Sequence, residues 1–122
     1  MKKILIVEDD KDFLWLLRQS FNDKSLLVLY AVDGQEGLAM AEKEKPDLIL
    51  IDILLPNMDG ITMARHIKAK GIESQMIFLT NLNDLNHIGK AIEIVGETDY
   101  IIKSDVSIDA IVARVKEKLG IT

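Results

Sequence analysis

Five short apolar runs, each followed by a segment of helical spacing, constrain this chain more than any other feature. The runs are Ile4–Val7, Leu26–Ala31, Leu48–Ile51, Met76–Leu79 and Tyr100–Ile102. Most lack polar alternation, which is the pattern of strands covered on both faces in a parallel sheet. Between and after them, apolar residues recur at helical intervals: Phe13, Leu14, Leu17 and Phe21; Leu38, Ala39 and Ala41; Ile61, Ala64 and Ile67; Leu85, Ile88, Ile92 and Val95; and Ile108, Ile111, Val112, Val115 and Leu119. Strand and helix alternating five times predict an α/β fold of the flavodoxin-like (βα)5 kind. Its five-stranded parallel sheet has order 2-1-3-4-5, helices on both faces, and a ligand site at the carboxyl ends of strands 1 and 3.

The segment ends agree with this division. Asp33 and Glu36 read as a capping box for the second helix. Ser107 is placed to cap the last helix, with Lys116 and Lys118 in its final turn and Gly120 to end it. Asp10, Asp47 and Asp59 are assigned turn and cap roles. Gly89 weakens the fourth predicted helix by about 1 kcal/mol relative to alanine. The 122 residues suffice for one domain with its own core, expected to span 1–122.

Composition excludes several classes of function. With no cysteine there is neither disulfide nor thiolate site. The formal net charge of −5 argues against direct nucleic-acid binding and against an anionic membrane surface. The apolar runs are too short to span a bilayer, and the one at the N-terminus ends at Glu8-Asp9-Asp10, too soon for a signal peptide. A cytoplasmic location is expected. No Gly-x-Gly-x-x-Gly follows the first strand, and no Walker-type loop is present.

The chemistry gathers at the predicted strand ends. Strand 1 runs into Glu8, Asp9 and Asp10; strand 3 ends at Asp52, strand 4 at Thr80 and strand 5 at Lys103. In the order 2-1-3-4-5 these ends share one edge. Two carboxylates about 4 Å apart repel by roughly 4 kcal/mol at an effective dielectric of about 20, so such a cluster requires a proton or a cation. Lys103 neutralises one charge. The oxygen-only donor set suits Mg²⁺ and not zinc. A carboxylate in this setting can act as a nucleophile toward phosphorus, with Asp52 as the natural candidate, Glu8 and Asp9 as metal holders, and Lys103 and Thr80 facing the phosphoryl oxygens. Taken singly, each residue has a plainer reading: Thr80 as a β-branched strand residue, Lys103 as a surface lysine, Tyr100 as a half-buried aromatic. His66 and His87 are expected at the surface. Trp15 lies beside the apolar stripe of the first helix and is expected to be partly buried; contact with a partner is the sharper alternative.

Val-Glu-Asp-Asp after the first strand, Asp52-Ile-Leu-Leu-Pro-Asn-Met-Asp-Gly60, Phe-Leu-Thr80 and Asp-Tyr-Ile-Ile-Lys103 together resemble the receiver domain of bacterial two-component response regulators, in order and over nearly the whole chain. The resemblance implies that Asp52 is the phosphoacceptor. It implies Mg²⁺ ligation by Asp9 and Asp52, with Glu8 direct or through water and the backbone carbonyl of Leu54 as a further ligand. Lys103 would pair with the phosphoryl group, and Thr80 and Tyr100 would be the switch pair. The phosphoryl donor would be a phosphohistidine on a sensor histidine kinase or phosphotransfer protein. The output would be a changed surface on the fourth predicted helix, the fifth strand and the last helix, in a monomer or a phosphorylation-dependent dimer. The domain would then be a switch with at most self-phosphorylation and self-dephosphorylation activity, standing alone or as part of a longer regulator. Two departures from the family pattern are Ser104, where proline usually follows the lysine, and Asn81, where a small residue usually follows the threonine. Two other readings compete: a receiver-like interaction domain that is never phosphorylated, and a phosphohydrolase passing through an aspartyl phosphate. Against the second, Leu54 occupies the position where haloacid-dehalogenase-type enzymes carry a second aspartate.

Overall fold

The computed structural model describes residues 1–81, 89, 93 and 99–121. The stripe Leu85, Ile88, Ile92 and Val95, together with His87 and the apolar pair at 94–95, lies outside the described residues. Five strands are present: β1 (Lys2–Val7), β2 (Leu26–Ala31), β3 (Leu48–Asp52), β4 (Gln75–Thr80) and β5 (Asp99–Ile102). All neighbours are parallel, in the order β2-β1-β3-β4-β5. The described helices are α1 (Lys11–Ser20), α2 (Gly34–Glu44), α3 (Gly60–Ala69) and α4 (Ile108–Leu119). The α/β architecture and strand order are therefore those expected from the alternation.

Every residue of β3 is buried, because both of its faces are covered. Strand side chains alternate between the two faces. Ile4, Ile6, Leu48, Leu50, Ile77, Leu79 and Ile101 pack with Leu14 and Leu17 of α1 and with Ile111, Val115 and Leu119 of α4. Leu5, Val7, Ile49, Ile51 and Phe78 pack with Ala41 of α2 and with Met63, Ala64 and Ile67 of α3. Each large aliphatic side chain so buried contributes roughly 1.5–3 kcal/mol of transfer free energy. This double layer packs the sheet between the described helices and fixes where each strand ends.

The caps follow the sequence chemistry. Asp10 accepts from the N–H groups of Asp12 and Phe13 at the start of α1. Asp33 accepts from Glu36 N–H at 2.8 Å, Asp59 from Thr62 N–H at 2.8 Å, and Ser107 Oγ from Ala110 N–H at 3.1 Å. Gly120 ends α4 at φ 73°. Asp47 acts between elements instead, accepting the Lys3 N–H at 2.8 Å.

Two expectations need correction. Ala39 faces solvent, and the buried face of α2 is Gly34, Gly37 and Ala41. A Cβ on Gly37 would lie 2.9 Å from Met63 Sδ and 3.0 Å from Val7, so α2 packs through its glycines and not through a conventional apolar stripe. Trp15 is 58% exposed, not partly buried, because its neighbours Leu14 and Leu17 take the inner face of α1.

Candidate functional site

Register sets the site. Val7 lies opposite Ile51, Asp52 opposite Leu79, and Thr80 opposite Ile102. Glu8 therefore leaves β1 beside Asp52, and Lys103 leaves β5 beside Thr80. Apolar strand residues carry these polar groups to the sheet edge and bury them there: among the described residues, Glu8, Asp52 and Thr80 are the buried polar ones.

Lys103 bridges the two acids. Its Nζ donates to Glu8 Oε1 and, at 2.8 Å, to Asp52 Oδ2. The lysine and aspartate side chains are each only 9% exposed. The remaining carboxylate oxygens are also engaged: Glu8 Oε2 accepts the Asp10 N–H at 3.2 Å, and Asp52 Oδ1 accepts the Leu54 N–H at 3.2 Å. Among the described residues no buried side-chain nitrogen or oxygen lacks a partner.

Burial pushes the Glu8 carboxyl up to about 7; the Lys103 hydrogen bond opposes that rise, and Asp52 adds to it. Burial pulls the Lys103 ammonium down, but its hydrogen bonds to Asp52 and Glu8 outweigh this and leave its pKa above the ordinary lysine value. Lysine thus stays a cation between two acids, one of which burial makes reluctant to ionise.

One carboxylate oxygen from each of Glu8, Asp9 and Asp52 lies within 4.8 Å of the others. Asp9 is exposed and the other two are buried. Three hard oxygen donors converging from two strand ends, with no histidine or cysteine among them, fit Mg²⁺.

The other predicted residues are distributed around this centre. Thr80 is buried at the end of β4. Tyr100 is 39% exposed and pairs with Phe78. Strand alternation puts Thr80 and Tyr100 on the same face of the sheet. Leu54 turns a 54% exposed side chain outward. Ser104 sits in a 3₁₀ turn, Lys103–Asp105, and Lys103 reaches both acids from that turn without a following proline. Asn81 is exposed, as is His66.

Two groups escaped the sequence reading. Asn57, at φ 67°, donates its amide to Asp33 Oδ2 at 2.9 Å and so ties the loop after Asp52 to the start of α2. The Glu36 N–H and the Asn57 amide hold the Asp33 carboxyl below its usual range. A Cβ on Gly34 would stand 1.9 Å from the Met58 carbonyl oxygen, and one on Gly60 would stand 2.2 Å from that of Asp52. The Gly34 and Gly37 spacing, one helical turn apart, was the available signal. Phe13, whose ring lies under the Lys103 ammonium, is the second. Its place in an apolar stripe concealed it.

A doubly wound sheet with an acid cluster and one lysine at its carboxyl edge defines a switch-point site of the phosphoryl-handling type. Residues 4–116 match the family described as response regulator receiver domain, and the chain belongs to that family. It is 33% identical to sporulation initiation phosphotransferase F of Bacillus subtilis over 86% of this chain and 85% of that protein. It is 35% identical to the alkaline phosphatase synthesis transcriptional regulatory protein PhoP of the same organism, over 84% of this chain but only 42% of that one. The chain thus spans less than half of that regulator. A CheY-like receiver domain from Methanospirillum hungatei superposes with a TM-score of 0.88 at 30% identity, covering 98% of this chain and 94% of that one. The domain is accordingly a phospho-accepting signalling switch by class, and neither competing reading is favoured. No helix among the described residues is long and apolar enough to cross a membrane.

Proposed function

We propose that Asp52 accepts a phosphoryl group from a phosphohistidine of a sensor kinase or phosphotransfer protein. The observation that carries this is the Lys103 bridge to Glu8 and Asp52, with the Asp9 carboxylate converging on the same point. An Asp52 carboxylate oxygen attacks phosphorus, the P–N bond breaks, and the bonding pair leaves with the histidine imidazole. Glu8, Asp9 and Asp52, with the Leu54 carbonyl, would hold Mg²⁺. When bound, that ion supplies positive charge opposite the phosphoryl oxygens. Lys103 exchanges its carboxylate bonds for a phosphoryl oxygen, and Thr80 donates to another. Tyr100, on the face Thr80 occupies, is the partner through which that movement reaches the surface of β5 and α4. The setting is cytoplasmic, and the output is an altered binding surface or a dimer.

The test is intact mass after incubation with Mg²⁺ and acetyl phosphate. One added phosphoryl group that requires Mg²⁺ and is absent in Asp52→Asn supports the assignment. Mg²⁺-dependent uptake that survives Asp52→Asn would falsify it. Leu54 offers no group to orient an attacking water, so the acyl phosphate should hydrolyse slowly. A half-life of seconds in the isolated protein would contradict that expectation.

A further inference from the structure

The sequence pattern puts Phe13 in the apolar stripe of α1, yet its ring is only partly buried and touches the site. The Lys103 ammonium sits over that ring, 4.6 Å from its centroid. An ammonium has three donors. Two go to Glu8 and Asp52. The ring covers a further side of the cation with the negative face of its π-system.

The ring is held in place through the same cluster. Phe13 N–H donates to Asp10 Oδ1 at 3.3 Å, and Asp10 N–H donates to Glu8 Oε2 at 3.2 Å. Glu8 also receives Lys103. Ring, lysine and acid therefore form a closed circuit across the ends of β1 and β5.

The three contacts of the ammonium differ in what an incoming phosphoryl group does to them. The two carboxylate bonds must yield as the lysine turns to a phosphoryl oxygen. The ring has no lone pair that competes for the metal, the proton or the phosphoryl group, so its contact persists through the exchange and counts for most once the carboxylate bonds have yielded. It also keeps water from that side of the cation, where water would screen the charge.

We infer that Phe13 is a positioning residue for phosphoryl uptake, its ring face holding the Lys103 ammonium on the Asp52 side of the cleft. The inference rests on the acceptor role proposed for Asp52. A residue acting only by packing would depend on ring shape; one acting on a cation depends on the charge of the ring face.

The test replaces Phe13 with phenylalanines of increasing fluorination, which keep the shape and weaken the face. The rate of Mg²⁺-dependent uptake from acetyl phosphate should fall stepwise, by about tenfold at the end of the series and in Phe13→Leu. Phe13→Tyr should stay near wild type, and melting temperatures should fall by no more than a few degrees along the fluorinated series, because the same contact is already made in the resting fold. In the metal-free protein, the Lys103 ε-CH₂ protons should be shifted upfield by the ring current and lose that shift in Phe13→Leu. A flat fluorinated series, or the absence of the ring-current shift, overturns the inference while leaving the acceptor role intact. A wild type indistinguishable from Asp52→Asn in phosphoryl uptake overturns the acceptor role, and this inference with it.

Discussion

The two edges of the sheet invite comparison. At the amino-terminal edge lies a cleft of about 940 Å³, lined by Lys68, Gly71, Ser74, Asp99, Arg114 and Lys118 among others. At the carboxyl-terminal edge the acids and Lys103 are packed together. The first edge also gathers charges, but water reaches them. Asp99 pairs with Lys118 at 3.0 Å and Arg114 at 3.4 Å, with its side chain about a third exposed. Such pairs are worth ~0–1 kcal/mol. The Lys103–Asp52 pair is nearly closed off, so its charges cannot be exchanged for solvent. Reactivity here follows from charges forced together under burial, not from the size of a cavity.

The comparison can be broken first at the lysines. Lys103→Met strands two buried acids and should cost ~3–5 kcal/mol in urea unfolding at pH 8, part of it recovered on adding Mg²⁺. Lys118→Met should cost under ~1 kcal/mol, independent of Mg²⁺. Equal costs would mean that the carboxyl edge is as solvated as the other.

Glycines give the next contrast. Gly34→Ala drives a methyl into the Met58 carbonyl and should destabilise by ~2 kcal/mol or more while slowing phosphoryl uptake. Gly71→Ala at the opposite edge meets open space, and its cost should be only the ~1 kcal/mol of its positive φ, 74°. Thermal melts and uptake rates on the same preparations separate the two.

The smallest effect concerns pH. Asp23, in the turn leading into β2 at the amino-terminal edge, is held down to about 2 by the Ser25 hydroxyl and N–H, helped by Lys116. A carboxylate with a lowered pKa adds stability that is fully present above the ordinary value of 3.8 and fades as pH falls toward 2. The melting-temperature gap between wild type and Asp23→Asn should therefore be constant from pH 7 to 5 and close below 4. A gap that widened on acidification would show the opposite linkage.

Much of this was legible in the sequence, for identifiable reasons. Strands β1, β3 and β4 announce themselves because burial on both faces demands unbroken apolar runs. Strand ends carry Glu8, Asp52, Thr80 and Lys103 because a polar residue terminates each run, and topology then gathers them. Contacts made without a distinctive side chain were not legible. The inner face of α2 is built on Gly34 and Gly37, whose contribution is the absence of a methyl. The Asn57–Asp33 bond depends on a left-handed backbone at a residue that reads as ordinary loop. Trp15 looked partly buried because aromatic residues beside a stripe commonly are, whereas the helix turns it outward. The fourth predicted helix lies mostly outside the described residues.

The position of β3 has a consequence for exchange with solvent. A strand covered on both faces can release its amides only when one of its covering layers lifts, so deuterium should enter β3 near the rate of global unfolding. β5 is a four-residue edge strand, and its amides should exchange earlier. Lys103 Nζ on Asp52 therefore clasps the end of the most slowly exchanging strand to the end of a faster one. Whatever loosens that clasp should be recorded first as earlier labelling of β5, before any change is seen in β3.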